Sequence, residues 1–280
     1  MEELAFYLQS SFFKKFNINN GIYTALDKGK VSYPDQWSGK CFDIEDGSFW
    51  FKHRNQCIIS MIKNFPPNGF IFDVGGGNGC VSAALEGFGY KTVLLEPSFY
   101  GVLNASRRKL PRIICGALED VDFCVDAVGA FGLFDVLEHV EDDRAFIAGL
   151  YKNLQREGRI YLTVPAYNFL WSFEDKISGH FRRYNLRNLT RLFIEQGFEV
   201  EYATHFFSIL PPAIFVKRTI PSLLGMKREG LIVKDHASAV KAQGIRQALL
   251  NKIWAFEENK IRNQQPILFG SSCLLTVRKK

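Results

Sequence analysis

Apolar runs and helix-spaced apolar positions take turns along the middle of the chain. Phe70–Val74 is a short apolar run. It is bounded by Pro66, Pro67 and Gly69 on one side and by Gly75, Gly76, Gly77 and Gly79 on the other, which predicts a buried strand between breakers. A helical stretch over Cys80–Gly87 follows, then a second strand over Lys91–Glu96, closed by Pro97. Ser98 offers an N-cap oxygen to a helix running towards Leu110. Arg112–Cys115 and Ala130–Phe134 read as a third and fourth strand. Within Glu141–Leu154, Phe146, Ile147, Leu150, Tyr151 and Leu154 recur close to helical spacing. Glu157 and Gly158 mark a turn before a fifth strand over Arg159–Val164, stopped by Pro165. A helix over Leu186–Gln196 ends at Gly197 and leads into a sixth strand, Phe198–Ala203; Ile267–Val277 supplies a seventh.

This alternation from 70 to 204 predicts an α/β fold: a Rossmann-like, doubly wound, mostly parallel seven-stranded sheet with helices on both faces. Helical additions are expected before the first strand and before the last. The expected divisions are an N-terminal helical cap over 1–68, the α/β core over 69–204, a helical, basic insertion over 205–266 and the last strand over 267–280. A length of 280 residues suits one large α/β domain with appendages. With 47% apolar and 23% charged residues, disordered and fibrous classes are excluded, and 26 Phe imply a large core. No apolar run is long enough to span a bilayer, and the opening residues do not read as a signal peptide, so a cytoplasmic location is expected. Cys41, Cys57, Cys80, Cys115, Cys124 and Cys273 form no paired motif and read as buried reduced thiols. The net charge of +6 is uneven: from His205 onward there are 13 basic and 4 acidic residues. A basic tail can meet phosphates, an anionic membrane surface or simply water.

Ligands of doubly wound sheets bind beyond the carboxyl ends of the strands. There the chain carries Asp73 followed by Gly75, Gly77 and Gly79, and Glu96 ends the next strand. Glycines let a backbone turn left-handed and approach a ligand closely, and a carboxylate at Glu96 can accept both hydroxyls of a ribose. The combination points to a nucleoside. A dinucleotide loop would need a third glycine where Ser82 stands, which weakens the nicotinamide reading without removing it.

Asp73–Gly79 with Glu96 resembles the first two motifs of class I S-adenosylmethionine-dependent methyltransferases. The resemblance continues through Gly116–Asp120, Phe134–Val140 and Arg156–Pro165. Ser48–Arg54 and Gly179–Tyr184 look like a bacterial small-molecule or lipid-type subgroup, similar to ubiquinone-biosynthesis methyltransferases. It implies S-adenosylmethionine as cofactor, S-adenosylhomocysteine as product, and cofactor contacts from Arg54, Asp73, Gly75, Gly77, Gly79, Glu96, Pro97, Leu118, Glu119, Phe134 and Asp135. The family usually carries Asp where Ala117 stands, which leaves the adenine contacts of Leu118 and Glu119 open. Residues 216–266 match no recognised pattern.

Methyl transfer needs alignment of the acceptor and removal of its proton. His139 and His180 are the candidate bases, because imidazole titrates near neutral pH. Trp171, Arg182, Arg183 and Tyr184 are candidates for holding the acceptor, the guanidiniums suiting a carboxylate or phosphate. Asp135, Glu138 and His139 resemble a motif that binds a divalent metal in the ubiquinone-type enzymes, but no metal is assigned. The expected activity is transfer of a methyl group to an oxygen or nitrogen of a small or lipid-linked acceptor. A non-catalytic cofactor-binding protein and an NAD(P)-dependent oxidoreductase are the alternatives. Nucleic acid is not an expected partner. The apolar, basic-flanked segment 206–218 could roof an acceptor pocket or touch a membrane.

Overall fold

A computed structural model describes residues 2–19, 22–26, 42–226 and 245–280. The strand runs fold as their composition suggests. In β3 (Ile71–Val74) Phe72 and Val74 face one apolar layer and Ile71 the other, so every position is buried. The remaining core strands are β4 (Thr92–Leu95), β5 (Ile113–Cys115), β6 (Val128–Phe134), β7 (Leu154–Pro165), β8 (Phe198–Phe206) and β9 (Ser272–Lys279).

Among the described residues the sheet has nine strands, not seven, in the order β1-β2-β5-β4-β3-β6-β7-β9-β8. The two extra strands, β1 (Phe16–Asn19) and β2 (Ile22–Ala25), lie where only helices were expected. Ile22–Thr24 pair in parallel with Ile113–Cys115 and so cover an otherwise open sheet edge, while Phe16, Tyr23 and Ala25 enter the core. The strands from β2 to β7 run parallel, and β9 lies antiparallel between β7 and β8. The turn expected at Glu157 and Gly158 is an irregularity within one long strand. Glu157 takes a left-handed φ of 66°, and the register to β6 shifts between Val128 and Ala130.

Helices α1 (Phe49–Asn64), α2 (Cys80–Gly87) and α6 (Ile245–Arg262) cover one face of the sheet. Helix α3 (Phe99–Arg107) buries Val102 and Ala105 against Leu94 and Ile113. Helices α4 (Asp143–Asn153) and α5 (Leu186–Glu195) cover the other face through Ile147, Leu150, Leu189 and Phe193. Polar side chains cap the starts of α1, α3, α4 and α5: Ser48, Ser98, Asp142 and Asn185 accept from Trp50 N, Gly101 N, Ala145 N and Arg187 N. The five described cysteines are free thiols; Cys41 lies outside the described residues. Among the described residues no helix is long and apolar enough to cross a membrane.

Helices α1 and α6 meet around a buried hydrogen-bonded pair, with His53 Nε2 2.8 Å from Glu257 Oε2. The same carboxylate accepts from Phe207 N at 2.9 Å and Ser208 N at 2.6 Å, and Trp254 stacks on His53 with ring centres 4.4 Å apart. The Ser208 hydroxyl also donates to it, so Glu257→Ala would strand four partners, and urea unfolding should show a loss of about 3–5 kcal/mol, with Glu257→Gln losing less.

Candidate active site

Strand order reverses between β3 and β6, so their carboxyl ends open the crevice in which such sheets bind ligands. The loop leaving β3 turns left-handed at alternate residues, with φ of 65° at Gly75, 55° at Gly77 and 74° at Gly79. A Cβ on Gly79, the N-cap of α2, would lie 2.5 Å from Leu110 Cδ1, and one on Gly76 2.2 Å from Leu94 Cδ1. A Cβ on Gly77 would meet nothing within 4 Å, so the loop is open at that point. Glu96 fastens the loop from the side: Oε2 accepts from Gly77 N at 2.8 Å and Oε1 from Ser98 N at 2.7 Å. Pro97 follows at the turn into α3. From below, Asn78 donates to Glu45 Oε1 and accepts from Asn104, while Arg108 Nε donates to the Asn78 carbonyl.

A buried guanidinium sits beside this loop. Arg54, on α1, lies 4.9 Å from the Trp50 ring centre and 5.2 Å from that of Phe51. It donates through Nη1 to Asp135 Oδ2 at 2.5 Å. Asp135 follows β6 with a left-handed φ of 61° and also accepts from Thr163 Oγ1 at 3.1 Å. Asp73 accepts from Ser82 Oγ at 2.6 Å, and its pKa is pushed up to about 6 by burial, although Ser82 and the Arg54 charge oppose the rise. Arg54 Nε and Asp73 Oδ1 are both buried without a hydrogen-bond partner among the described residues. Phe134 is buried, folded over Gly132 with the layer beneath α1. Leu118 packs on the core at the turn after β5 and Glu119 is exposed beside it, while Asp120 accepts from Ala117 N at 2.7 Å.

The two candidate bases come together, their rings edge to face with centres 4.7 Å apart. Burial, and then the neighbouring His180, pulls the His139 pKa down to about 4, so it is neutral at pH 7. His180 Nδ1 lies 2.9 Å from Asp175 Oδ1. Asp175 also accepts from Arg183 Nε at 2.8 Å and Nη2 at 3.0 Å. Burial opposes ionisation of Asp175, but His180 and Arg183 outweigh it and hold the pKa at about 2. Burial and the nearby Asp135 charge raise the Glu138 carboxyl well above the usual range. Glu138, His139 and His180 each bring a ligand-type atom within 4.8 Å of the others, close enough to hold a cation. Arg182 pairs with Asp143 at 3.0 Å, and the buried Tyr184 donates to Asp143 Oδ2 at 3.0 Å and the Leu137 carbonyl at 3.2 Å. Trp171 is half-buried after the turn Asn168–Leu170. Thus Arg183 and Tyr184 are occupied within the fold, while the Arg182 side chain keeps 34% of its surface exposed.

Sequence reasoning missed Asp175 as the residue that orients His180. Its signal was the Ser172-x-x-Asp175 spacing, whose capping contact the structure contains: Asp175 Oδ2 accepts from Ser172 N at 2.9 Å. Asp73 generates a prediction. An acid whose folded pKa lies above its unfolded value costs stability when ionised, fully above pH 6 and not at all below the ordinary value of 3.8. A shift of this size corresponds to about 3 kcal/mol. In urea unfolding at several pH values, the wild type should therefore gain stability relative to Asp73→Asn as the pH falls from 7 to 4.

Comparison with known proteins follows the same lines. Residues 52–203 match the family model described as a methyltransferase domain. No curated protein matches the chain. Among solved structures, a complex of a methyltransferase activator with its methyltransferase from Haloferax volcanii aligns at 17% identity, covering 89% of this chain and 99% of that one, with a TM-score of 0.56. An S-adenosylmethionine-dependent methyltransferase from Thermotoga maritima aligns at 14% identity over 88% of this chain and 100% of its own, with a TM-score of 0.54. Phosphoethanolamine N-methyltransferase 2 of Haemonchus contortus, in complex with S-adenosyl-L-methionine, aligns at 16% identity over 89% of this chain, with a TM-score of 0.54. The chain spans only 58% of that protein's length. These likenesses establish the fold. The family match, across more than half of the sequence, shows that this chain belongs to the methyltransferase-domain family.

Proposed function

We propose that the chain transfers a methyl group from S-adenosylmethionine to an oxygen or nitrogen of a small or lipid-linked acceptor. The observation that carries this reading is a continuous line of interacting charges. It runs from Asp73 through Arg54 to Asp135, then through Glu138 to Asp175 and His180. The line joins a glycine-built cradle to an imidazole held by a carboxylate.

The residues fit the cofactor. Glu96 beside the open Gly77 suits ribose hydroxyls. The two buried orphan atoms, Arg54 Nε and Asp73 Oδ1, suit the carboxylate and ammonium of an amino-acid end. Pro97, Leu118 and Glu119 are assigned to the nucleoside side, and Phe134 and Asp135 to the floor. When bound, the cofactor supplies a methyl group made electrophilic by its sulfonium. The protein's own part is to hold the acceptor and take its proton. With Nδ1 donating to Asp175, His180 presents the lone pair of Nε2, the arrangement a general base requires. Neutral His139 flanks it and keeps a second positive charge away. Trp171 and Arg182 are assigned to the acceptor, with Arg183 and Tyr184 bracing the loop. Family membership leaves the oxidoreductase alternative without a separate observation in its favour.

Calorimetry with S-adenosylhomocysteine tests the cofactor half: wild type should bind, and Glu96→Ala should bind at least about tenfold more weakly. Absence of binding by the wild type would end the proposal. Radiolabelled methyl donor incubated with fractionated cell extract identifies the acceptor class. On the labelled fraction, His180→Ala should lower the transfer rate by about 10²–10⁴ at unchanged donor affinity. Asp175→Asn should lower kcat on the order of a hundredfold, shift the pH profile of the reaction and leave donor affinity intact.

A further inference from the structure

The start of α5 lies beside the carboxyl end of β8, and a cavity of about 440 Å³ opens between them. Small-molecule sites typically have volumes of roughly 300–1,000 Å³. Alternation along β8 puts Ala203 and His205 on one face, where both line the cavity, while Tyr202 and Phe206 pack on the other. Strands β7 and β9 stand between β8 and the crevice, and neither the glycine loop nor the histidine pair lines this cavity.

His205 is a buried polar group whose bonding is incomplete. It is 5% exposed, and its Nδ1 lies 3.2 Å from the Ile267 carbonyl, which can only accept, so Nδ1 carries the proton. Burial lowers the pKa of the ring, which is therefore neutral at pH 7, with a lone pair on Nε2. That Nε2 is buried without a hydrogen-bond partner among the described residues. Tyr167 fixes the ring in place. The two stack with centres 5.2 Å apart, and Tyr167 holds its position from a left-handed φ of 61°, a strain of the kind found at ligand clamps. The mouth of the cavity suits an anion. Arg187, in the first turn of α5, is exposed, lines the cavity and pairs with no carboxylate among the described residues. The dipole of α5 acts in the same sense. No acidic side chain lines the cavity, so an ammonium group would find no counter-charge there. A hydroxyl is the neutral donor that suits Nε2, and Leu186 and Ala203 suit an apolar body.

The geometry points to a second ligand site in this cavity, for a small carboxylic acid that carries a hydroxyl group, the hydroxyl donating to His205 Nε2 and the carboxylate lying against Arg187. The site stands apart from the transfer chemistry and does not depend on it. It shares a wall with the loop that carries His180: Tyr167 N donates to the Tyr184 carbonyl at 2.8 Å, and Arg183 Nη1 to the Ala166 carbonyl at 3.3 Å.

The full chain should be titrated, with binding followed by NMR, against para-hydroxyphenylacetate and the flexible omega-hydroxyhexanoate. Phenylacetate and hexanoate, which lack the hydroxyl, serve as controls. A Kd on the order of a few mM or tighter is expected for at least one hydroxy acid. Its control should bind about threefold to tenfold more weakly. His205→Phe keeps a ring against Tyr167 and should abolish that difference. Arg187→Gln changes an exposed side chain and should fold, and it should weaken the hydroxy acid about tenfold. Saturating S-adenosylhomocysteine should leave the affinity unchanged, and calorimetry with that compound on the same samples reports separately on the crevice. Binding of neither hydroxy acid, equal binding of acid and control, a preference that survives His205→Phe, indifference to Arg187→Gln, or displacement by S-adenosylhomocysteine would overturn the inference.

Discussion

The guanidinium of Arg54 is the charge around which the carboxylates of the crevice are arranged. Asp73, within β3, and Asp135, just after the neighbouring parallel β6, both face Arg54, with Glu138 one short turn further on. Without a cation, burial would drive these groups to protonate or swing outward. Helix α1 supplies that cation and packs Trp50 and Phe51 against it, so the Arg54 end of the ion pair to Asp135 is buried. Asp135 takes a left-handed backbone to reach it, a strain of the kind that persists where surrounding contacts enforce it. The N-terminal helix is thereby part of the site rather than a cover over it.

The core of the fold is legible in the sequence because its strands are local, continuous apolar runs closed by glycine or proline. Phe70–Val74 declares itself in this way, and so does the glycine loop that follows. Strands β1 and β2 do not. Each is four residues long and mixes polar with apolar positions, and what makes them strands is the edge of β5, about ninety residues away. The site divides along the same line. Asp73, Glu96 and the glycines are readable because backbone chemistry demands them at fixed spacing. The pairing of Arg54 with Asp135, of Arg183 with Asp175 and of Tyr184 with Asp143 depends on loops meeting in space, which no spacing rule encodes. The Gly179–Tyr184 segment looked like an acceptor reader from its residue types. In the fold most of its polar atoms hold the loop in shape, and His180 gains its orientation from that rigidity.

The two ends of the described chain have opposite electrostatic characters, and the structure gives that difference a location. Acidic residues concentrate around the crevice, where cations or backbone donors answer them. Basic residues gather in and around the stretch after β8, whose helical pieces face outward with apolar side chains. Glu257 ties this stretch to α1 through His53, and α1 carries Arg54 one residue further along. A single helix thus connects the surface formed after β8 with the charge that organises the crevice.

Strand β9 lies between β7 and β8 although it follows both in the chain by dozens of residues. Its Lys279 is largely buried and donates to the carbonyls of Tyr151 and Leu154. During synthesis, β7 and β8 therefore emerge with a vacant slot between them and wait for the whole intervening stretch to be translated. Long-range closure of this kind is slow, and unpaired strand edges attract other chains while they wait. The nascent polypeptide is most exposed to aggregation in that interval, and the emergence of β9 is what ends it.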